Sequence, residues 1–306
     1  MRFRALSCCR MVICCSLFHL LLRFSPAVLS SLPSDTLDVV REIDLAGSTI
    51  RELTLQQLQQ ALTNQGYNFH LQGFHHDVLP LPDGHMIVLA DYRVPYDNLP
   101  GYPGTTSVLG DVLIDVDQNF TPTWVWSAFD HLDVNRHPFN FPDWTHGNAV
   151  LYSADDHNLL FSMRHQNWII KIDYADAHGS GDILWRLGPG GDFKLFGGTD
   201  PVNWFYAQHG PSFFTSNTAG VFELGVMDNG VNRVFPPGVI CDAPGGPPCH
   251  YSAAPILRID ETAMTAALLS DYAAPHSLYS FFGGNVDLLP NGDIEADFCA
   301  PKTVQW

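Results

Sequence analysis

Between Val78 and Arg93 the chain reads VLPLPDGHMIVLADYR, and from Val112 to Ser127 it reads VLIDVDQNFTPTWVWS. The apolar runs are too short for helices, and PDG supplies a hairpin turn in the first segment, so each segment reads as a pair of strands. The same two-part unit returns as AVLYSADDHNLLFSMR (149–164) with IIKIDYADAHGSGDILWRLG (169–188), and as VDLLPNGDIEADF (286–298) with ILRIDETAMTAALL (256–269). The second parts share a Val-Asp or Ile-Asp step, and ADD and PNG supply further turns. Each pair makes about four strands, which is one blade of a radial fold. The fold expected is therefore all-β, a β-propeller.

A histidine stands just ahead of a strand in three of these repeats: His76 in FHHDVLPL, His146 in DWTHGNAVLY and His209 in AQHGPSFF. These markers lie roughly 70 residues apart, longer than a minimal blade, and Asn285 opens a further unit. Radial closure would bring the three imidazoles to one central axis. The chain ends soon after the LPNGD turn, so the propeller's last blade, at the C-terminus, is expected to be missing or supplied from elsewhere.

Upstream, STIRELTLQQLQQALTNQ from Ser48 to Gln65 places Leu53, Leu55, Leu58 and Leu62 in an apolar stripe, which predicts one short amphipathic helix. Residues 32–72 are read as an N-terminal extension carrying that helix, and residues 73–306 as the propeller domain. Residues 1–31 resemble a secretory leader, with Arg2, Arg4 and Arg10, the apolar run from Met11, and small residues near Ala27 to Ser31. That run is too short to span a bilayer comfortably, so a cleaved leader and a periplasmic or secreted protein without a membrane span are expected. Cys241 and Cys249 bracket the loop CDAPGGPPC, whose closeness suits a local disulfide in an exported protein.

The net charge of −17, with only 15 lysines and arginines, leaves no basic stripe for a phosphate backbone and excludes nucleic-acid binding. A small anion remains possible where a few donors converge. Three imidazoles suit a metal, with Asp77 or Asp143 as a fourth ligand. They also suit a tetrahedral oxyanion, for which Arg164 offers a fork of donors and Asn148 an amide. A guanidinium beside a metal cation is unfavourable, and a neutral imidazole near its usual pKa is a nucleophile. We take the anion as the better fit, with no metal and no cofactor.

FHHD at 74–77, HGN at 146–148 with SMR at 162–164, and QHGP at 208–211 with DNG at 228–230 occur in this order. In these motifs the sequence resembles the bacterial PAPS-independent arylsulfate sulfotransferases. The resemblance implies a six-bladed propeller with the site in its central channel. It also implies a ping-pong reaction that passes a sulfuryl group from a phenolic sulfate to a phenol acceptor through a sulfohistidine. By motif, His209 is the nucleophile, His146 and His76 are further catalytic residues, and Arg164 and Asn148 hold the sulfuryl oxygens. Trp204, Phe205 and Tyr206, just before His209, fit either stacking on a phenolic ring or ordinary core packing between blades. Two other readings stand beside this one: a propeller that binds without turnover, and a metal-dependent hydrolase on the same scaffold.

Overall fold

A computed structural model describes residues 3–6, 13–16, 19–23, 38–244 and 246–299. The chain is mostly β, in several largely antiparallel sheets, and divides into two compact units. The amino-terminal unit comprises residues 10–152 and 177–181; the carboxy-terminal unit comprises residues 1–9, 153–176 and 182–306.

The opening stretch of the repeat forms the main sheet of the amino-terminal unit: Leu71–Pro80, Met86–Leu99, Tyr102–Val116 and Pro122–Ser127, antiparallel and in chain order. A second sheet holds Ile13–Ser16, His19–Arg23, Val39–Ile43 and Thr49–Thr54. The first two of these strands fall within the stretch read as a leader, whose Ala27 to Ser31 region lies outside the described residues. The helix is shorter than the sequence suggested, spanning Leu55–Asn64. β-Branched Thr49, Ile50 and Thr54 favour the strand before it. The Thr54 hydroxyl then accepts the Gln57 N–H while the Gln57 side chain accepts the Thr54 N–H, a capping box that fixes where the helix begins. Leu58 and Leu62 on one helix face join Leu53, Phe74, Val88 and Ile114 in a single core.

In the carboxy-terminal unit Asn158–Met163, Trp168–Ile172 and Ile183–Leu187 pair antiparallel. A five-stranded sheet runs in spatial order Lys194–Phe196, Thr265–Ala273, Ala253–Asp260, Val221–Met227 and His209–Phe213. The grouping of VDLLPNGDIEADF with ILRIDETAMTAALL is corrected here. The latter pairs with Val221–Met227, whereas Val286–Leu288 and Ile294–Asp297 form a hairpin in a separate sheet with Phe3–Leu6. Val221–Met227 escaped the pattern because VFELGVM carries no Ile-Asp step. Cys241 and Cys249 are joined, with Cα atoms 4.8 Å apart, and Cys299 is also disulfide-bonded. Among the described residues no helix is long and apolar enough to cross a membrane.

Candidate functional site

In the amino-terminal unit, the ladder between Leu71–Pro80 and Met86–Leu99 is interrupted between Phe74, opposite Ala90, and Val78, opposite Val88. Three residues, His75, His76 and Asp77, therefore face one, Leu89, in a bulge that lifts the histidines out of the regular pleat. His76 adopts φ 54° and His146, immediately before the strand Gly147–Ser153, adopts φ 49°. For a side-chain-bearing residue this left-handed backbone is uncommon and costs of order 1–3 kcal/mol, the sort of strain that collects at working sites.

The structure brings these two histidines together, their ring centroids 4.9 Å apart and edge to face. Nδ1 of His146 lies 2.5 Å from Asp143 Oδ2, and Nδ1 of His76 lies 3.0 Å from Nδ1 of His75. Nε2 of His75 in turn faces Asp111 Oδ1 at 3.1 Å, and Asp111 Oδ2 accepts the Gly147 N–H at 2.6 Å. Asp77 does not serve His76 as a turn contact; its carboxylate accepts the Val150 N–H at 2.8 Å. Burial pushes the Asp77 carboxyl above the usual range, and this hydrogen bond acts in the opposite direction. Asn148 is buried two residues after His146.

His209 and Arg164 belong to the carboxy-terminal unit. Arg164 opens the short helical turn Arg164–Gln166 that follows the strand Asn158–Met163. It does not bridge to Asp155 or Asp156 across its hairpin: Asp155 accepts the Ala219 N–H, and Asp156 pairs with the buried Lys171. Instead Arg164 Nη1 donates to His165 Nε2 at 2.6 Å and Nη2 to the Phe281 carbonyl at 2.9 Å. Since guanidinium only donates, His165 must accept.

His209 begins the strand His209–Phe213 and is 6% exposed. The segment before it is tied to the turn that carries Arg164. Asn167 Oδ1 accepts the Ala207 N–H, and Gln208 Nε2 donates to Ser162 Oγ, the Met163 carbonyl and the Trp168 carbonyl. Gly210 has φ 42°, and a Cβ there would meet the Gly284 carbonyl at 2.6 Å, so the residue after His209 accommodates only glycine.

Nδ1 of His209 lies 2.7 Å from Asn229 Oδ1, and Asn229 Nδ2 donates to the carbonyls of Ser280 at 2.9 Å and Gly283 at 3.0 Å. Two carbonyl acceptors settle which end of the Asn229 amide is nitrogen. Oδ1 can then only accept, so His209 carries a proton on Nδ1, and its neutral ring has the lone pair on Nε2. That is the tautomer of a nitrogen nucleophile. The 280–283 loop thus receives hydrogen bonds from both Asn229 and Arg164.

Arg233 braces its surroundings, donating to the carbonyls of Val202 and Trp204, pairing with buried Asp228 and lying 4.1 Å from the Tyr251 ring centroid. Trp204, Phe205 and Tyr206 are fully buried, which favours core packing, the second of the two readings, over stacking on a ligand. Sequence reasoning missed Asn229, Gln208 and His75. Their signal was adjacency to residues already singled out, Asn229 within DNG, Gln208 beside His209 and His75 beside His76.

Residues 23–304 match the family model described as Arylsulfotransferase (ASST). No curated protein matches the chain.

Proposed function

We propose, from the premise that this chain belongs to the arylsulfotransferase family, that it moves a sulfuryl group from a phenolic sulfate to a phenol through His209. The observation that carries this is the fixed tautomer of His209, held by an asparagine whose own orientation is set by two backbone carbonyls. Nε2 attacks sulfur, the N–S bond forms, and the S–O bond to the phenol breaks with its electron pair leaving on oxygen. The acceptor phenol then reverses these steps.

Arg164, and Asn148 by motif, hold the sulfuryl oxygens with donors placed before the reaction starts, which lowers the barrier without reorganisation. His76 and His146 handle the phenol proton, giving it to the departing oxygen and taking it from the acceptor. No metal or nucleotide enters these steps. The radial, six-bladed arrangement of the sheets and a periplasmic or secreted location belong to the same proposal, the latter supported by the Cys241–Cys249 disulfide.

The test is His209→Asn assayed for transfer from 4-nitrophenyl sulfate to phenol, together with mass spectrometry of the wild-type protein after exposure to donor alone. We expect complete loss in the variant and one added sulfuryl mass on the wild-type His209 peptide. Transfer by H209N removes the nucleophile assignment, and a wild-type protein that binds donor without acquiring mass favours a non-catalytic protein. Loss of transfer on chelation would favour the metal-dependent alternative.

A further inference from the structure

The amino-terminal unit holds a residue to which neither the motifs nor the mechanism above gives a task. His75 is 14% exposed in its side chain and sits between the buried Asp111 and His76. Resting on the sulfuryl-transfer reading, we infer that His75 and Asp111 form a proton store behind His76, converting its Nε2 from acid to base between the two halves of the reaction.

The tautomers follow from the contacts. His75 Nε2 lies 3.1 Å from Asp111 Oδ1, an ion-pair distance without hydrogen-bond alignment, and a bare lone pair there would repel the carboxylate, so that nitrogen carries a proton. The other Asp111 oxygen is held by the Gly147 N–H, which keeps the carboxylate in place. The two Nδ1 atoms, 3.0 Å apart, share one proton between them. When His75 is neutral its Nδ1 accepts from His76 Nδ1–H, and His76 presents a lone pair at Nε2. When His75 is an imidazolium its Nδ1 donates, His76 Nδ1 accepts, and His76 presents Nε2–H. One proton on His75 therefore inverts the chemistry of its neighbour, and Asp111 stabilises the charged form.

The cycle balances. In the free enzyme His75 is charged. As the N–S bond forms at His209, the phenoxide takes the Nε2 proton of His76, and the His75 Nδ1 proton passes to His76 Nδ1, leaving both rings neutral. The acceptor phenol later gives its proton to His76 Nε2, the Nδ1 proton returns to His75, and the phenoxide oxygen takes the sulfuryl group. His146 differs in that its Nδ1 faces the Asp143 carboxylate. His75 acts only through His76 and is a positioning and relay residue.

The experiment compares His75→Gln with wild type using two donors, reading kcat/KM for the donor so that only the first half-reaction counts. Phenyl sulfate, a poor leaving group, needs the proton; 4-nitrophenyl sulfate, a good one, needs it little. We expect H75Q to lose on the order of 10²-fold with phenyl sulfate and less than about threefold with 4-nitrophenyl sulfate. An equal loss with both donors reduces His75 to packing and overturns the relay. If H75Q does not fold, long-range ¹⁵N–¹H spectra of wild type decide: the His75–His76 pair should lose one proton when donor is added without acceptor, and an unchanged count overturns the proposal. Wild-type protein that never takes up sulfuryl mass refutes the transferase reading itself, a separate outcome.

Discussion

Truncating Asn229 to alanine removes one acceptor and two donors from a fully buried position. It leaves the His209 Nδ1–H and the carbonyls of Ser280 and Gly283 without the partners they have at 2.7, 2.9 and 3.0 Å. At about 1 kcal/mol for each hydrogen bond, with a larger penalty where a buried group stays unsatisfied, the variant should lose about 3 kcal/mol of stability. A domain with a typical 5–15 kcal/mol remains folded after that loss. The catalytic cost is separate. Without Asn229 the two neutral tautomers of His209 approach equal weight, and the ring loses the contact that aims Nε2. Loss of tautomer control by a buried partner in other nucleophilic sites costs up to about 10⁴ in turnover, so we expect kcat/KM to fall on the order of 10², equivalent to about 2.7 kcal/mol. Steady-state transfer from 4-nitrophenyl sulfate to phenol measures the second quantity, and denaturant unfolding measures the first. The control is Asn229→Asp, whose carboxylate still accepts from Nδ1–H but turns oxygen toward the two carbonyls. It should be less stable than N229A. Wild-type kcat/KM in a measurably destabilised N229A would refute the claim that Asn229 sets the reactive nitrogen.

Arg164→Lys keeps the charge but replaces a planar fork that reaches His165 Nε2 and the Phe281 carbonyl together with a single ammonium. Donor kcat/KM should drop at least about tenfold with little change in unfolding temperature, whereas wild-type kinetics would show that Arg164 holds the 280–283 loop and no substrate oxygen. Burial raises the Tyr206 phenol to about 12, with the weaker hydrogen-bond and Arg233 contributions opposing. Its contribution to stability is therefore intact below the unfolded value of about 10 and disappears as pH rises through the folded value. Alkaline unfolding between pH 10 and 12 should be shallower for Tyr206→Phe than for wild type by roughly 2 kcal/mol across the window, and parallel curves would disprove the shift.

Which parts of this were legible in the sequence depends on the range of the forces involved. Period-two alternation and the PDG turn are local, so the sheet of Leu71–Pro80 through Pro122–Ser127 could be read directly. The helix start was misplaced because the Leu53 to Leu62 stripe continues from a strand into a helix, and only the Thr54–Gln57 reciprocity marks the change. The role of Asn229 was hidden because its partners Ser280 and Gly283 lie more than fifty residues onward. The three aromatics before His209 fitted a ligand and the core equally well. Their burial comes from long-range packing, and no local pattern separates the two cases.

The histidine pair of the amino-terminal unit sits where the strand ladder is broken, and that raises the question of what holds it. His76 lies in a bulge and His146 just ahead of its strand, both with left-handed backbones, so regular pairing cannot position either ring. Carboxylates take over. Asp77, the residue after His76, grips the Val150 N–H of the strand that His146 precedes; Asp111 grips Gly147 on one oxygen and faces His75 with the other; Asp143 holds His146 Nδ1. Each acid ties one histidine segment to the other or locks a ring nitrogen, and Asp111 is buried and Asp77 half-buried, where such hydrogen bonds are strong and their absence costly. The strain of the two left-handed residues, of order 1–3 kcal/mol each, is thus offset by contacts that also fix tautomers. The acidic residues of the FHHD and DWTHGN motifs are therefore as much a part of the site as the histidines beside them.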